Sequence, residues 1–237
     1  MGSTGQLVLV ATPIGHLEDV GARALRTLAD ADVIVAEDTR VTRRLLDRYG
    51  IRTPLAAFHA HSAPSRLADI VARLDGETVA YVTDAGMPGI SDPGAELVAA
   101  AVAAGHRVSA VPGPSAVTTA VAIAGFGGDA FTFLGFLPRR AAERRARLAE
   151  AAALSHPLVI FEAPHRIVAA LADAAAVLGD RSAVACRELS KLHEEIVRGR
   201  LGELHAHWTE RAPRGEFTLV VEGAGRGHPA PWDASAV

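Results

Sequence analysis

Three short segments concentrate residue types that bind charge and move protons. The first is Asp84-Ala85-Gly86-Met87-Pro88-Gly89-Ile90-Ser91-Asp92-Pro93-Gly94, which carries two carboxylates, three glycines and two prolines directly after the strand-like run Thr78 to Thr83. Glycine allows close approach of the backbone to a ligand, and proline stiffens the loop that makes it. The second is Phe161-Glu162-Ala163-Pro164-His165-Arg166, and the third runs from Arg187-Glu188 through Ser190-Lys191 to Glu194-Glu195. Glu162, His165, Glu188 and Lys191 are the side chains there that could accept or orient a proton. The residue types alone allow either a substrate-facing rim or salt-bridged surface loops.

Several other chemistries lack their residues. The first strand ends in Ala11-Thr12-Pro13-Ile14-Gly15, without the G-x-G-x-x-G of a dinucleotide site, and the chain has no Walker A sequence. It has no G-x-S-x-G elbow, and its one cysteine, Cys186, sits in an apolar run that reads as core. His59 and His61 are two residues apart and His193 adjoins Glu194, but neither group has the spacing of a metal site, so no metal is expected.

The elements that must position these segments alternate. Leu7 to Ala11, Val33 to Ala36, Leu55 to Phe58, Thr78 to Thr83 and Arg107 to Val111 read as strands. Between them, Leu17 to Ala31, Thr39 to Tyr49, Ser65 to Leu74 and Ala95 to Ala104 have helical character. These strands are continuous apolar runs, which predicts a parallel sheet covered on both faces, with ligands at the carboxyl ends of its strands. After Val111-Pro112-Gly113-Pro114-Ser115, a helix to Ala124 and the Gly125 to Asp129 connector, the second half has shorter strands and fewer helices. That pattern predicts a mixed sheet. The expected organisation is α/β in two domains, 1–118 and 119–223, with a disordered Gly/Pro-rich tail over 224–237.

The chain has 237 residues and a net charge of −3, so its overall balance does not call for a nucleic-acid partner. Its arginines are clustered, however: Arg40, Arg43, Arg44 and Arg48 in one stretch, and Arg139, Arg140, Arg144, Arg145 and Arg147 in another. No apolar run has membrane-spanning length, and a single cysteine suits a reducing compartment, so a cytoplasmic protein is expected.

The Asp84 loop, with Val111-Pro112-Gly113-Pro114-Ser115-Ala116, resembles the corresponding segments of the tetrapyrrole methylases. Ala11 to Gly15 with Leu17-Glu18-Asp19, Glu37-Asp38-Thr39-Arg40, the Phe161 to Arg166 and Arg187 to Glu195 segments, and Arg214-Gly215-Glu216-Phe217-Thr218 resemble the ribosomal RNA small subunit methyltransferase I branch. Ala85, where tetrapyrrole enzymes carry proline, favours that branch; Ser190 stands where threonine is expected.

The resemblance implies S-adenosylmethionine as donor, in a cleft between two α/β domains, with Pro13, Asp84, Gly86, Pro88, Ile90, Ser115 and Ala116 at the cofactor positions. It implies a homodimer that 2′-O-methylates a cytidine ribose in the decoding region of 16S rRNA, free or within the small subunit. Glu162, His165, Glu188 and Lys191 then become candidates for assisting the ribose hydroxyl. Arg40, Arg139, Arg140, Arg144, Arg145 and Arg147 become candidates for phosphate contacts. Two other readings remain at this point: C-methylation of a corrin or other tetrapyrrole, and a non-catalytic ribosome assembly factor.

Overall fold

The computed structural model describes residues 5–92 and 94–225. Pro93 and most of the expected tail, 226–237, lie outside the described residues. The chain divides into two compact units, Met1–Ala116 and Val117–Val237.

In the first unit the strands are rich in Val, Ile, Leu and Ala. β1 (Gln6–Val10), β2 (Val33–Ala36), β3 (Leu55–Ala57), β4 (Thr78–Val82) and β5 (Arg107–Val111) form one sheet in the order β3-β2-β4-β1-β5, with every adjacent pair parallel. The helices α1 (Ala22–Asp30), α2 (Thr39–Arg48), α3 (Pro64–Arg73) and α4 (Gly94–Ala103) connect them. Leu28 of α1 and Leu45 and Leu46 of α2 pack with Val8, Val10, Ile34 and Val82 on one face. Ile70 of α3 and Leu97 and Ala101 of α4 pack with Leu7, Val35 and Tyr81 on the other. Covering both faces explains why these strands lack a polar alternation. Because the strands are parallel, the loops after β1, β2, β4 and β5 all leave from one edge of the sheet.

One expected helix is shorter than its sequence pattern. Leu17–Asp19 is a single 3-10 turn, and α1 begins only at Ala22. Val20 and Gly21 are both extended, with ψ of 127° and 144°, and Gly21 serves as the N-cap of α1. The His16 ring accepts the Glu18 N–H and closes the 3-10 turn locally.

The second unit holds α5 (Ala116–Ala124, which starts one residue before the division), β6 (Thr132–Phe136), α6 (Ala141–Ala151), β7 (Leu158–Glu162), α7 (Ile167–Leu178), β8 (Ser182–Arg187), β9 (Glu195–Arg200), α8 (Leu201–Thr209) and β10 (Phe217–Val221). Its sheet runs β6-β7-β10-β8-β9; only β6 and β7 are parallel, so the sheet is mixed, as expected. Leu148, Leu171, Leu178, Leu204 and Trp208 of α6, α7 and α8 pack on Leu158, Ile160, Ala185, Phe217 and Leu219. On β9, the Arg198 guanidinium donates to the carbonyls of Ile123 and Ala124, which ties down the end of α5.

Register places the polar segments of this unit together. Phe217 opens β10 opposite both Glu162 at the end of β7 and Arg187 at the end of β8. Phe136 ends β6 opposite Phe161, and Glu195 opens β9 opposite Arg187. The loops 137–140, 163–166, 188–194 and 214–216 therefore share one edge of the second sheet.

Candidate active site

At the edge of the first sheet, the strand ends are locked by backbone hydrogen bonds. Thr12 and Gly86 pair as an isolated antiparallel bridge, Thr12 N–H donating to Gly86 O at 2.9 Å and Gly86 N–H to Thr12 O at 3.1 Å. The Thr12 hydroxyl donates to the Thr83 carbonyl at 3.1 Å, so the β1 loop holds the β4 loop at two points. Gly86 adopts φ +80°, a conformation that a side chain strains. A Cβ there would stand 3.5 Å from Ile14 Cγ2 and 3.6 Å from the Pro114 carbonyl oxygen, so loops from β1, β4 and β5 meet around this glycine. Gly113 must also be glycine, because a Cβ would press to 2.9 Å on the Ala11 Cβ.

The glycine-proline loop is braced internally by Asp92. Its carboxylate accepts the N–H groups of Gly89 at 2.7 Å, Ile90 at 3.3 Å and Gly94 at 2.9 Å. Asp84 points the other way: it accepts the Asp38 N–H at 3.1 Å and so joins the ends of β4 and β2. Asp38 is the N-cap of α2 and accepts both the Arg40 N–H and the Arg40 guanidinium. The Arg40 hydrogen bonds hold its carboxyl at about 2.

This edge is strongly anionic. Burial raises the Glu37 carboxyl above its ordinary value, and the neighbouring Asp84 and Asp92 charges add to the effect. The same carboxylates, after burial, push the Tyr81 phenol upward. Tyr81 is fully buried, and its hydroxyl has no hydrogen-bond partner among the described residues.

Two clusters occupy the edge of the second sheet. In the first, Glu162 is buried at the end of β7, where Oε1 accepts the Ala163 N–H at 2.9 Å and faces Arg166 Nε at 3.2 Å. Its Oε2 has no partner among the described residues. Burial raises this carboxyl despite the Ala163 hydrogen bond and the charge of Arg166. Arg166 also donates to the carbonyls of Leu137 and Pro138 and so clamps the turn after β6. His165 is exposed beside this group.

In the second cluster, Lys191 Nζ bridges Glu188 Oε1 at 2.9 Å and Glu216 Oε2 at 2.8 Å, and Glu188 Oε1 also accepts the Glu216 N–H at 2.8 Å. Burial opposes both charges. The Glu216 N–H and Lys191 nevertheless hold Glu188 below the usual carboxylate range, and the Glu216 and Glu188 carboxylates hold Lys191 above the usual ammonium range. Glu188 and Ser190 adopt φ +52° and +61°, rare for residues with side chains and each costing about 1–3 kcal/mol. A loop that keeps two such residues is over-determined by its ion pairs. Among the described residues, no group of three or more His, Cys, Asp or Glu could hold a metal ion.

A family model of the tetrapyrrole (corrin/porphyrin) methylases matches residues 6–205. The ribosomal RNA small subunit methyltransferase I of Thermotoga maritima is 46% identical over 220 residues, covering 92% of this chain and 99% of that protein. The protein of the same name from Mycobacterium tuberculosis is 48% identical over 226 residues, covering 94% and 79%. The chain belongs to the ribosomal RNA small subunit methyltransferase I family, within the tetrapyrrole methylases. Solved structures of that fold include cobalt precorrin-4 methyltransferase, with TM-score 0.70 and 18% identity over 94% of this chain and 96% of that one. Another is the uroporphyrin-III C-methyltransferase of Thermus thermophilus with S-adenyl homocysteine, with TM-score 0.64 and 20% identity over 93% and 98%.

As a member of this family, the chain places Pro13, Asp84, Gly86, Pro88, Ile90 and Ser115 on the loops at the edge of its first sheet, with Ala116 opening α5. Glu162 and His165 fall in one cluster of the second sheet's edge and Glu188 and Lys191 in the other.

The arginines of the 139–147 stretch do not all reach solvent. Arg144 is only 7% exposed; its Nε donates to Asp173 at 2.6 Å and it also reaches the Arg139 carbonyl. It is not a surface residue available to phosphate, because it shares the buried face of α6 with Leu148 and Ala151. Spacings of four and seven residues would have revealed this. Arg145 pairs with the other oxygen of Asp173, Arg147 with Glu150 and Arg140 with Glu143, and all three are exposed. Arg139 is exposed, and the Arg40 side chain is 88% exposed beside Asp38. The clamp of Arg166 on Leu137 and the contact of Glu188 with Gly215 are long-range, and the sequence gives no local sign of either.

Proposed function

We propose that this protein transfers the methyl group of S-adenosylmethionine to the 2′-hydroxyl of a cytidine in the decoding region of 16S rRNA. The observation that carries the donor-binding part is the Thr12–Gly86 bridge, which fixes a backbone-lined ledge where three loops meet at the carboxyl edge of a parallel sheet. The ledge fits the donor by charge: Glu37, Asp84 and Asp92 give it a negative field, and the donor carries a sulfonium and an ammonium. The relatives at 46–48% identity, all named for the ribosomal RNA reaction, support the choice of RNA over a tetrapyrrole.

When bound, S-adenosylmethionine supplies an activated methyl carbon for in-line displacement. The chain's contribution is then position and proton acceptance. Rigid loops that hold reacting groups in line lower the barrier by as much as ~7–11 kcal/mol. The attacking ribose oxygen must lose its proton, and a positioned base contributes about 10²–10⁴-fold. Lys191 is a poor base, because two carboxylates keep it protonated; its role is to hold Glu188 and Glu216 in place. Glu162 is buried and serves Arg166. His165, exposed at the same strand end, is the side chain we assign to accept the proton as the oxygen–carbon bond forms and the carbon–sulfur bond breaks.

The reading carries with it a cytoplasmic homodimer acting on 16S rRNA or the small ribosomal subunit. It is tested by transfer of tritiated methyl from S-adenosylmethionine to 30S subunits and, in parallel, to precorrin substrates. Label in 2′-O-methylcytidine of the RNA is the expected result. Label in the tetrapyrrole would replace the reading with C-methylation, and donor binding without transfer to either would leave only an assembly role.

A further inference from the structure

A bulge in β6 builds an aromatic surface that the proposed reaction does not use. Phe133 pairs with Val159, but Gly135 pairs with Ile160 and Phe136 with Phe161, so the register shifts by one residue between Phe133 and Gly135. Leu134 packs into the core beneath the sheet. Strict alternation would send Phe136 to the same side as Leu134; the extra residue turns it to the side of Phe133 and Phe161 instead. Gly135, at φ +66°, supplies the backbone conformation of the bulge. The three rings form one group, Phe133 and Phe161 edge-on at 4.8 Å and Phe136 and Phe161 tilted at 5.7 Å. Phe136 is the outermost, at 54% exposure.

The turn that follows is rigid and basic. Arg166 and Arg144 donate to the carbonyls of Leu137, Pro138 and Arg139, which fixes the backbone of the turn. Arg139 and Arg140 leave it as exposed residues, Arg140 with an exposed ion pair to Glu143 at 3.3 Å. An exposed ring backed by other rings, with guanidinium groups three and four residues on, matches the chemistry of single-stranded nucleic acid: π faces for the bases and cations for the backbone.

We propose that Phe136, supported by Phe161 and Phe133, stacks against an unpaired base of the RNA substrate while Arg139 and Arg140 contact the adjoining phosphates. The inference rests on the RNA reading above. It makes Phe136 a positioning residue that holds the strand from the base side.

The test uses the full-length chain, a fluorescein-labelled decoding-region RNA fragment, and anisotropy titrations at several salt concentrations. Phe136→Ala is expected to weaken RNA binding about tenfold or more, with the salt slope unchanged, because stacking releases no counterions. Phe136→Trp is expected to bind as well as the unmodified protein. Arg139→Ala with Arg140→Ala should instead flatten the slope by ~0.7 per lost contact. Calorimetry with S-adenosylhomocysteine should be the same for Phe136→Ala and the unmodified protein. Equal RNA binding by Phe136→Ala would overturn the proposal, as would a loss in Phe136→Trp as large as in Phe136→Ala. Weakened binding of S-adenosylhomocysteine would reassign the ring to the donor, and a smaller species in sedimentation would reassign it to a contact between copies. If the unmodified protein fails to bind the fragment or methylate 30S subunits, the RNA reading itself falls; if it does both and Phe136→Ala binds equally, only the stacking role falls.

Discussion

Glu188 lies directly over Gly215: a Cβ at position 215 would come within 2.4 Å of the Glu188 Cγ and Cδ atoms. Gly215 is also in the left-handed region, at φ +77°. Glu188 is held by Lys191 and by the Glu216 N–H, so it cannot swing away without losing both.

Gly215→Ala should therefore break this cluster. The expected cost is about 1–3 kcal/mol in stability from backbone strain alone, read by urea denaturation. Methyl transfer to 30S subunits should fall with it, while binding of S-adenosylmethionine stays as it was. Normal stability in the variant would show that Glu188 is free to move.

Gly86→Val addresses the ledge proposed to hold the donor. A branched side chain at φ +80° is strained, and it would extend into the space framed by Ile14 and the Pro114 carbonyl. Calorimetry should show donor affinity reduced by tenfold or more with binding to the RNA fragment retained. Unchanged donor affinity would move the cofactor away from this loop.

His165→Ala should lower kcat by about 10²–10⁴-fold with little change in KM for the RNA, as expected for loss of a proton acceptor. Lys191→Met should act differently, loosening the Glu188 loop and lowering stability. A kcat for His165→Ala near that of the unmodified protein would pass the role of base to another group.

Arg144→Ala should destabilise the second unit by about 3–5 kcal/mol, because it leaves Asp173 buried with half its pairing. It should not change the salt dependence of RNA binding for whatever fraction stays folded.

The acid limb of stability follows from the same pair. Burial disfavours the Asp173 carboxylate, but hydrogen bonds from Arg145 and Arg144 outweigh it and hold the group below the usual aspartate range. Its contribution is thus complete above the unfolded carboxyl's value, about 4, and is lost as pH falls through the lower folded value. Acid titration of Asp173→Asn should show a shallower loss of stability below pH ~4 than the unmodified protein.

Much of the fold was legible because its signals are local. Val33 to Ala36 is a buried strand in sequence and in space, since a strand covered on both faces needs apolar residues at every position. The Asp84 loop declared itself through its glycines and prolines. What stayed hidden depends on partners far along the chain. The helical spacing from Leu17 overshoots because Val20 keeps the apolar pattern while its backbone is extended. Charge makes Arg144 a candidate for phosphate, whereas its spacing to Leu148 and Ala151 puts it on the buried face of α6. The turn of Phe136 to the side of Phe161 rests on one inserted residue, which a pattern of period two cannot show.

If the ledge of Thr12, Gly86 and Pro114 holds the methyl donor as proposed, a crystal of the full chain soaked in S-adenosylhomocysteine will show it. Ligand density is expected against the Gly86 backbone and the Pro114 carbonyl, within reach of the Asp84 carboxylate. Density at any other place, or none at that ledge under saturating ligand, would contradict it.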